Sequence, residues 1–250
     1  SLHSQTGGLT LQNYADLSSP VIVEAFQNSL EISIVTAVAG AIFGFLLAYA
    51  VIAGGLPRFL RSFLMTFSGV ASNFAGVPLA LAFVFTIGRL GLVTVFLKTF
   101  LGIDVWGHGF TIYSKLGLEI VYLYFQFPLM VLIIAPAIDG LRREWREASE
   151  NMGASTFQYW RYVALPVLMP SLLGTTILLF GNSFGAQATA YQLTGGVFNI
   201  ATLLVSAQLR GDVLHNEGLG YAVAMGMVVV MTISIGVYYL LQRRAERWSK

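Results

Sequence analysis

Long apolar runs separated by short polar segments make up most of this chain. Five of the runs reach the length of about 20 residues that a helix needs to cross a hydrocarbon core about 30 Å thick. Their predicted bounds are about 26–53, 59–87, 116–138, 165–184 and 219–241. The pattern therefore predicts an all-α, polytopic membrane protein in which residues 1–250 form a single transmembrane domain.

Glycine, proline and polar residues interrupt this pattern. The segment 54–57, Gly-Gly-Leu-Pro, ends the first predicted helix, and Asn73, Gly76 and Pro78 interrupt the second. Such breaks survive inside a membrane only where protein or water satisfies the freed backbone groups, so we expect the second helix to face protein or a cavity. The apolar run 93–101 is too short to span and predicts an interfacial or re-entrant helix.

Composition supports a membrane protein and argues against several other classes. Hydrophobic residues make up 56% of the chain and charged residues 10%, whereas charged residues form about 25% of a soluble domain. The net charge of +2 is too small to indicate nucleic-acid binding. Without cysteine there is no disulfide, thiolate metal site or cysteine nucleophile. The spacing of His3, His108 and His215 matches no metal motif, and we expect these side chains to be solvated.

The distribution of basic residues predicts which side of the membrane each loop occupies. Five spans place the segment 54–61, the loop 139–162 and the C-terminal tail on one side. That side carries ten of the fourteen Lys and Arg residues, so the positive-inside rule makes it cytoplasmic. Ser1 then lies outside without a signal peptide, which predicts a sixth, N-terminal helix upstream of this chain.

The cytoplasmic loop 139–163 begins with a pattern typical of an amphipathic helix. Its apolar residues recur at helical spacing, namely Leu141, Trp145, Ala148 and Met152. Charged residues on the other faces form two i, i+4 pairs, Arg143 with Glu147 and Arg146 with Glu150. Each pair stabilises a helix by about a few tenths of a kcal/mol. A basic helix lying on the membrane surface is the alternative reading.

The second half of the loop predicts a glycine elbow and another short helix. Gly153 permits a turn with positive φ that other residues resist. Ser155 and Gln158 fit a capping box, which marks the start of a helix. The side chains expected to project from it are Phe157, Trp160 and Arg161. Pro166 is expected to give a sharp entry into the next span.

This loop resembles the EAA loop of the membrane subunits of binding-protein-dependent ABC importers. The pattern is Glu147-Ala148-Ser149, then Gly153 after three residues, then Leu165-Pro166. Ser149 stands where the family often has a second alanine. The motif is sharp only over 147–166, and the topology is similar over about 30–244. The resemblance assigns coupling to an ATPase to Glu147, Ala148, Gly153, Ala154, Ser155, Phe157, Leu165 and Pro166.

What the resemblance implies is the permease subunit of a type I ABC importer in a bacterial or archaeal cytoplasmic membrane. Two permeases, identical or homologous, would enclose the path, two ATP-binding subunits would grip the coupling loops, and an external solute-binding protein would deliver the solute. The chain has no Gly-x-x-x-x-Gly-Lys-Ser/Thr pattern. We therefore expect no enzyme activity and no bound cofactor here, with ATP and Mg used by the ATPase partner, and no nucleic-acid partner.

A stand-alone channel or secondary transporter is the alternative function. A secondary transporter should show paired repeats or intramembrane coupling charges, and the sequence shows neither. The run Phe180–Ala186, FGNSFGA, resembles the branch of the importer family that serves polyamines, ferric iron, thiamine and phosphonates. This favours a polyamine or a similar small charged organic solute.

Polar residues inside the predicted spans are candidates for the translocation path, because such groups are costly in lipid. The candidates are Asn73, Gln126, Asn182 and Gln187. Hydrogen bonding between helices is the alternative role for each of them. Glu31 and Glu119 lie near the outer ends of their spans and are expected to be interfacial.

Two further pairs in the first span predict local packing. Asn28 and Ser29 are expected to be N-terminal cap residues or interface residues of this helix. Gly40 and Gly44 form a Gly-x-x-x-Gly pattern, which lets helices approach closely. No metal site is predicted anywhere in the chain.

Overall fold

The computed structural model describes residues 12–54, 56–104, 106–107, 109–210 and 216–246, with the backbone alone at 245 and 246. The described helices are α1 (Gln12–Ala15), α2 (Pro20–Ala53), α3 (Arg58–Asn73), α4 (Gly76–Ile87), α5 (Leu92–Leu101), α6 (Lys115–Asp139), α7 (Arg143–Asn151), α8 (Thr156–Tyr159), α9 (Leu165–Phe184), α10 (Gln187–Thr194), α11 (Ala201–Arg210) and α12 (Glu217–Glu246). The predicted all-α fold is confirmed. His3, His108 and His215 lie outside the described residues.

Among the described residues, five segments are long and apolar enough to cross a membrane, as predicted. They are Pro20–Ala53, Gly76–Leu101, Lys115–Asp139, Thr156–Phe184 and Glu217–Arg244. The second differs from the predicted span over 59–87, whose first half forms the amphipathic helix α3. That helix ends at Asn73, and α4 begins at Gly76. The observed segment combines α4 with α5, although a turn at 88–91 separates them. The helix upstream of Ser1 stays a prediction.

The first of two compact units is tied together by polar contacts to α2. It comprises the described residues within Ser1–Thr36, Phe74–Tyr122 and Gly181–Thr232. Asn28 Nδ2 donates to Asn199 O at 3.0 Å, and Ser29 Oγ accepts from the Ala201 N–H at 2.9 Å. Because α2 begins at Pro20, both side chains lie inside the helix. Their predicted interface role is confirmed, and the alternative that they cap the helix is wrong.

The second unit contains a close approach between α2 and α6. It comprises the described residues within Ala37–Asn73, Leu123–Phe180 and Ile233–Lys250. A Cβ placed on Gly40 would lie 2.8 Å from Gln126 Cβ, and one on Gly44 would lie 2.6 Å from Phe127 O. Both distances are shorter than van der Waals contact, so only glycine fits at these positions. The predicted role of the Gly-x-x-x-Gly pattern is confirmed.

The helix after the loop 139–163 runs without interruption from Thr156 to Phe184. α8 passes into α9 through a π-helical turn, Trp160–Ala164, in which the Leu165 N–H bonds Trp160 O. Pro166 has no N–H and crowds the carbonyl one turn before it, and a π turn rearranges the backbone bonds at such a place. The predicted sharp entry at Pro166 is therefore wrong, because the helix has already formed upstream of it.

Candidate functional site

The loop between α6 and α9 turns at Gly153. α7 ends in a Schellman motif, in which the Gly153 N–H donates to Glu150 O at 2.9 Å and the Ala154 N–H donates to Ser149 O at 3.0 Å. Gly153 has a φ of +77°. A residue with a Cβ pays about 1–2 kcal/mol for this left-handed conformation. The predicted glycine elbow is confirmed.

Ser155 and Gln158 form the predicted capping box at the start of α8. The Gln158 N–H donates to Ser155 Oγ at 3.3 Å, and the Ser155 N–H donates to Gln158 Oε1 at 2.7 Å. These bonds satisfy two backbone donors that the helix start leaves open. Together with the Schellman motif they fix the direction in which the chain passes from α7 into α8, so the elbow has a defined geometry.

Aromatic packing holds the elbow against α2. The ring of Trp160 meets that of Tyr49 edge-to-face with the centroids 4.9 Å apart, and it lies 6.4 Å from the ring of Phe45. The prediction that Trp160 projects is wrong, because this tertiary contact covers part of the ring. Phe157 and Arg161 are exposed, as predicted. The loop therefore has one side anchored on α2 and another side open.

The charged side chains of α7 pair along the helix, as predicted. Arg143 Nε lies 2.9 Å from Glu147 Oε1, and Arg146 Nε lies 2.9 Å from Glu150 Oε1. The hydrogen bond to Glu150 raises the pKa of the Arg146 guanidinium above its ordinary value. Both pairs are largely exposed, so each contributes little to stability. A charged side chain of a partner protein could therefore replace either member at small cost.

Most of the predicted coupling residues lie on the open side of the loop. The exposed members are Glu147, Ala148, Gly153, Ser155, Phe157 and Leu165, and the half-buried members are Ala154 and Pro166. Ser149 is buried, and its Oγ donates to Arg146 O at 2.8 Å. Because the helix itself satisfies this hydroxyl, serine can occupy a buried position where the motif has alanine. The coupling roles stay predictions.

An apolar groove of about 320 Å³ lies between α7 and the segment that leads into α9. Its apolar lining consists of Trp145, Ala148, Met152, Tyr162, Val163, Pro166 and Val167. Met152 is 80% exposed and Tyr162 is 69% exposed. Contiguous exposed apolar side chains are typical of a protein-binding surface. Helical spacing indicated the α7 half, but the other half depends on tertiary packing that a local pattern does not show.

A polar cleft of about 540 Å³ opens on another side of the same loop, between α7 and the C-terminal ends of α2 and α6. Arg142, Arg143 and Arg146 contribute cations to its lining, and Asp139 and Glu150 contribute anions. An ion pair with Arg61 at the start of α3 occupies Asp139. The lining thus has a small excess of positive charge, and four of its five charged side chains are held in ion pairs.

The four predicted path residues fall into two groups. Gln126 is fully buried, and its Nε2 donates to Leu179 O at 2.8 Å, which joins α6 to α9. Gln187 is half-buried and hydrogen-bonds a serine of α11. Asn73, at the end of α3, and Asn182, on α9, are exposed. Of the four, these two asparagines are the ones with side chains open to the surroundings of the chain.

Charged residues of the first unit pair with one another near the predicted outer ends of the spans. Glu31 of α2 forms an ion pair with Lys115 at the start of α6, and Glu119 lies one turn further along α6. Lys98 Nζ lies 2.8 Å from Asp104 Oδ2 and holds the pKa of that carboxyl below its ordinary value. Among the described residues, no group of three or more His, Asp or Glu side chains could hold a metal ion.

Most of this chain matches the sequence model of a known protein family. Residues 40–247 match the sequence model of a family described as the inner membrane component of binding-protein-dependent transport systems. The spermidine/putrescine transport system permease protein PotB of Haemophilus influenzae is 26% identical, covering 95% of this chain and 82% of that protein. The sulfate transport system permease protein CysT of Salmonella typhimurium is also 26% identical, covering 82% of this chain and 73% of that protein.

Solved structures show the same fold. A chain of a bacterial ABC transporter involved in the import of alginate superposes with a TM-score of 0.71 at 16% identity, covering 98% of this chain and 86% of that chain. A chain of an amino acid ABC transporter superposes with a TM-score of 0.61 at 15% identity, covering 94% of this chain and all of that chain. At these identities the likeness describes the fold alone.

Proposed function

Because the chain belongs to the family of inner membrane components of binding-protein-dependent transport systems, we propose that it forms half of the translocation path of an importer for a small charged organic solute. The permease role within an ABC importer is the family's. The observation that supports coupling to an ATPase partner is the loop 139–163, with its fixed elbow, open coupling residues and apolar groove. These features suit the docking of a partner that performs work, and they suit no chemistry on a substrate.

The connection between this loop and the membrane supports a coupling role. α8 continues through the π turn into α9, so a displacement of the loop acts on one uninterrupted helix from Thr156 to Phe184. The Schellman motif at Gly153 fixes α7 to α8, and the contact between Trp160 and Tyr49 links the elbow to α2. A partner that grips α7 therefore moves parts of two spanning helices together.

The source of energy lies in a partner under this proposal. The chain has no phosphate-binding loop of the Gly-x-x-x-x-Gly-Lys-Ser/Thr type. Two ATP-binding subunits, which use ATP and Mg, dock on the coupling loops of two permeases, identical or homologous. An external solute-binding protein delivers the solute, and the assembly resides in a bacterial or archaeal cytoplasmic membrane.

The solute class follows from the relatives and from one motif. One of the two relatives named above is called a sulfate permease and the other a spermidine/putrescine permease. Sulfate is a small anion, whereas spermidine and putrescine are small organic cations. The run Phe180–Ala186 favours the polyamine side. The exposed path candidates Asn73 and Asn182 carry no charge, so we expect the external binding protein to supply most of the selectivity for charge.

Copurification with the ATP-binding partner tests the proposal. We expect Glu147→Arg to break the charge match on α7 and Gly153→Trp to distort the elbow, so both changes should release the ATPase and stop ATP-driven uptake. Glu24→Arg makes the same charge change at an exposed site near the outer end of α2 and should leave the complex intact. Uptake that persists without ATP, or that is unaffected by both loop changes, would favour a stand-alone channel or secondary transporter.

A further inference from the structure

α3 has an exposed polar face beside an exposed aromatic face. Phe59, Phe63, Phe67 and Val70 are between 49% and 81% exposed. Ser62, Thr66 and Asn73 are also exposed, and Gly69 lies between them along the helix. At 3.6 residues per turn, Ser62, Thr66, Gly69 and Asn73 fall within a sector of about 60°. Ser68 and Ala71, on the opposite side, are buried.

The two hydroxyl groups of this polar face lack the internal hydrogen bond that some exposed hydroxyls on other helices make. Thr86 Oγ1 donates to Ala82 O at 2.7 Å, and Thr232 Oγ1 donates to Val228 O at 2.8 Å. Such bonds to the preceding turn let a hydroxyl face an apolar surrounding. In the described part of the chain, neither Ser62 nor Thr66 has a side-chain hydrogen-bond partner. Their hydroxyls therefore need water or a solute.

The space in front of this face is open. A Cβ built on Gly69 would meet no atom within 4 Å, so the helix presents its backbone there without a covering side chain. Asn73 Nδ2 donates to Gly69 O at 2.8 Å, which holds the amide along the same face. The face thus combines two hydroxyls, one amide and a glycine position without a neighbouring side chain at its Cβ site, and none of these groups is charged.

Membrane depth decides what this face contacts. α3 starts at the cytoplasmic side, where Arg61 pairs with Asp139 at the end of α6. α4 ends at Ile87, whose carbonyl accepts from Trp106 Nε1 at 3.2 Å, in the segment that leads to the outer end of α6. The 12 residues of α4 rise only about 18 Å, less than the hydrocarbon core of about 30 Å. Because α3 directly precedes α4 in the chain, we expect part of α3 to lie within the hydrocarbon layer.

We infer that Ser62, Thr66, Gly69 and Asn73 line the water-filled translocation path, with the aromatic face of α3 turned toward an apolar surrounding. Unpaired hydroxyls are costly against hydrocarbon, and the path is the aqueous surface available at this depth. The inference rests on the proposed transport function and extends it to the solute contacts. The solute contacts uncharged polar groups here, which can form hydrogen bonds with a cation or an anion but no ion pair.

Cysteine accessibility can test this inference directly, because residues 1–250 include no cysteine. Single variants Ser62→Cys, Thr66→Cys and Asn73→Cys are compared with Phe63→Cys and Phe67→Cys in the complete transporter reconstituted in vesicles. The probe is the charged, water-soluble reagent 2-(trimethylammonium)ethyl methanethiosulfonate. Thiols react as thiolates, and an apolar surrounding raises the thiol pKa, so we expect labelling about tenfold or more faster on the polar face. Added transport solute with ATP should change these rates.

Two results would overturn the inference. Equal or faster labelling at Phe63→Cys and Phe67→Cys would mean that the aromatic face is the one in contact with water. Fast labelling of the polar face at a rate independent of ATP and solute would place α3 on the cytoplasmic membrane surface instead of in the path. ATP-driven uptake measured on the same vesicles keeps the proposed function separate: if uptake persists while the labelling pattern fails, only the assignment of this face is lost.

Discussion

Replacing Gly153 with alanine isolates the contribution of one backbone conformation to the coupling loop. A Cβ at this position would meet no atom within 4 Å, so a steric clash contributes nothing. The φ of +77° remains, and this conformation costs an L-residue about 1–2 kcal/mol. Any loss on Gly153→Ala therefore measures the left-handed turn that aligns α7 with α8.

The expected effect is a weaker complex with the ATPase. If the docked state requires the observed elbow, a cost of about 1–2 kcal/mol lowers the affinity for the ATP-binding subunit by a factor of about 5–30. Gly153→Asn should lose less, because asparagine tolerates positive φ better than alanine does. Titration of the purified permease with its ATPase subunit measures both affinities.

Gly236→Ala provides the matched control for this titration. Gly236 lies within α12, and a Cβ there would also meet no atom within 4 Å, but its φ is not positive. Alanine favours a helix interior over glycine by about 1 kcal/mol, so this variant should bind the ATPase normally. Binding of Gly153→Ala as tight as that of Gly236→Ala would show that the left-handed turn is not needed for docking, and so would weaker binding of Gly153→Asn than of Gly153→Ala.

Three further predictions concern packing and ionisation. Gly44→Ala places a Cβ 2.6 Å from Phe127 O and should lower the stability by about 1–3 kcal/mol; a melting temperature in detergent equal to that of Gly236→Ala would contradict the close approach of α2 and α6. Trp160→Ala removes the contact with Tyr49, worth about 0.5–1.5 kcal/mol beyond buried area, and should reduce uptake per ATP hydrolysed, whereas an unchanged ratio would remove Trp160 from the coupling route. The pair with Lys98 lowers the pKa of Asp104, so it stabilises the fold at pH values above the ordinary carboxyl pKa, and this contribution is lost as the pH falls through the folded-state pKa. Asp104→Asn should abolish this acid-dependent part of the stability. An identical dependence of stability on pH in the variant would refute the assignment.

Local signals in the sequence were sufficient for the secondary structure of the loop. Gly153 and the pair Ser155 and Gln158 act through residues at most three positions apart, so their turn and capping box could be predicted and are observed. The contact of Trp160 with Tyr49 joins residues far apart in the chain. Nothing in the local pattern indicates that partner, which is why the ring was expected to project.

The second predicted span shows what hydrophobicity along the sequence does not predict, namely where a long apolar stretch divides into two helices. Over 59–87 the apolar content suggested one interrupted helix, but the structure separates α3 from α4 and leaves α3 with polar, aromatic and buried faces. Asn73 could be singled out because an amide inside a span is conspicuous. Ser62 and Thr66 could not, because serine and threonine are common in spanning helices and usually satisfy their own hydroxyls.

Uptake into vesicles that contain the permease tests whether import depends on ATP and on the partner ATPase. The vesicles should hold the purified permeases with or without the ATP-binding subunits, and the labelled solute should be added outside together with its binding protein. We expect accumulation above the external concentration only when the ATP-binding subunits and internal ATP are both present, and we expect Glu147→Arg to abolish it. Accumulation at the same rate without the ATP-binding subunits or without ATP would contradict it.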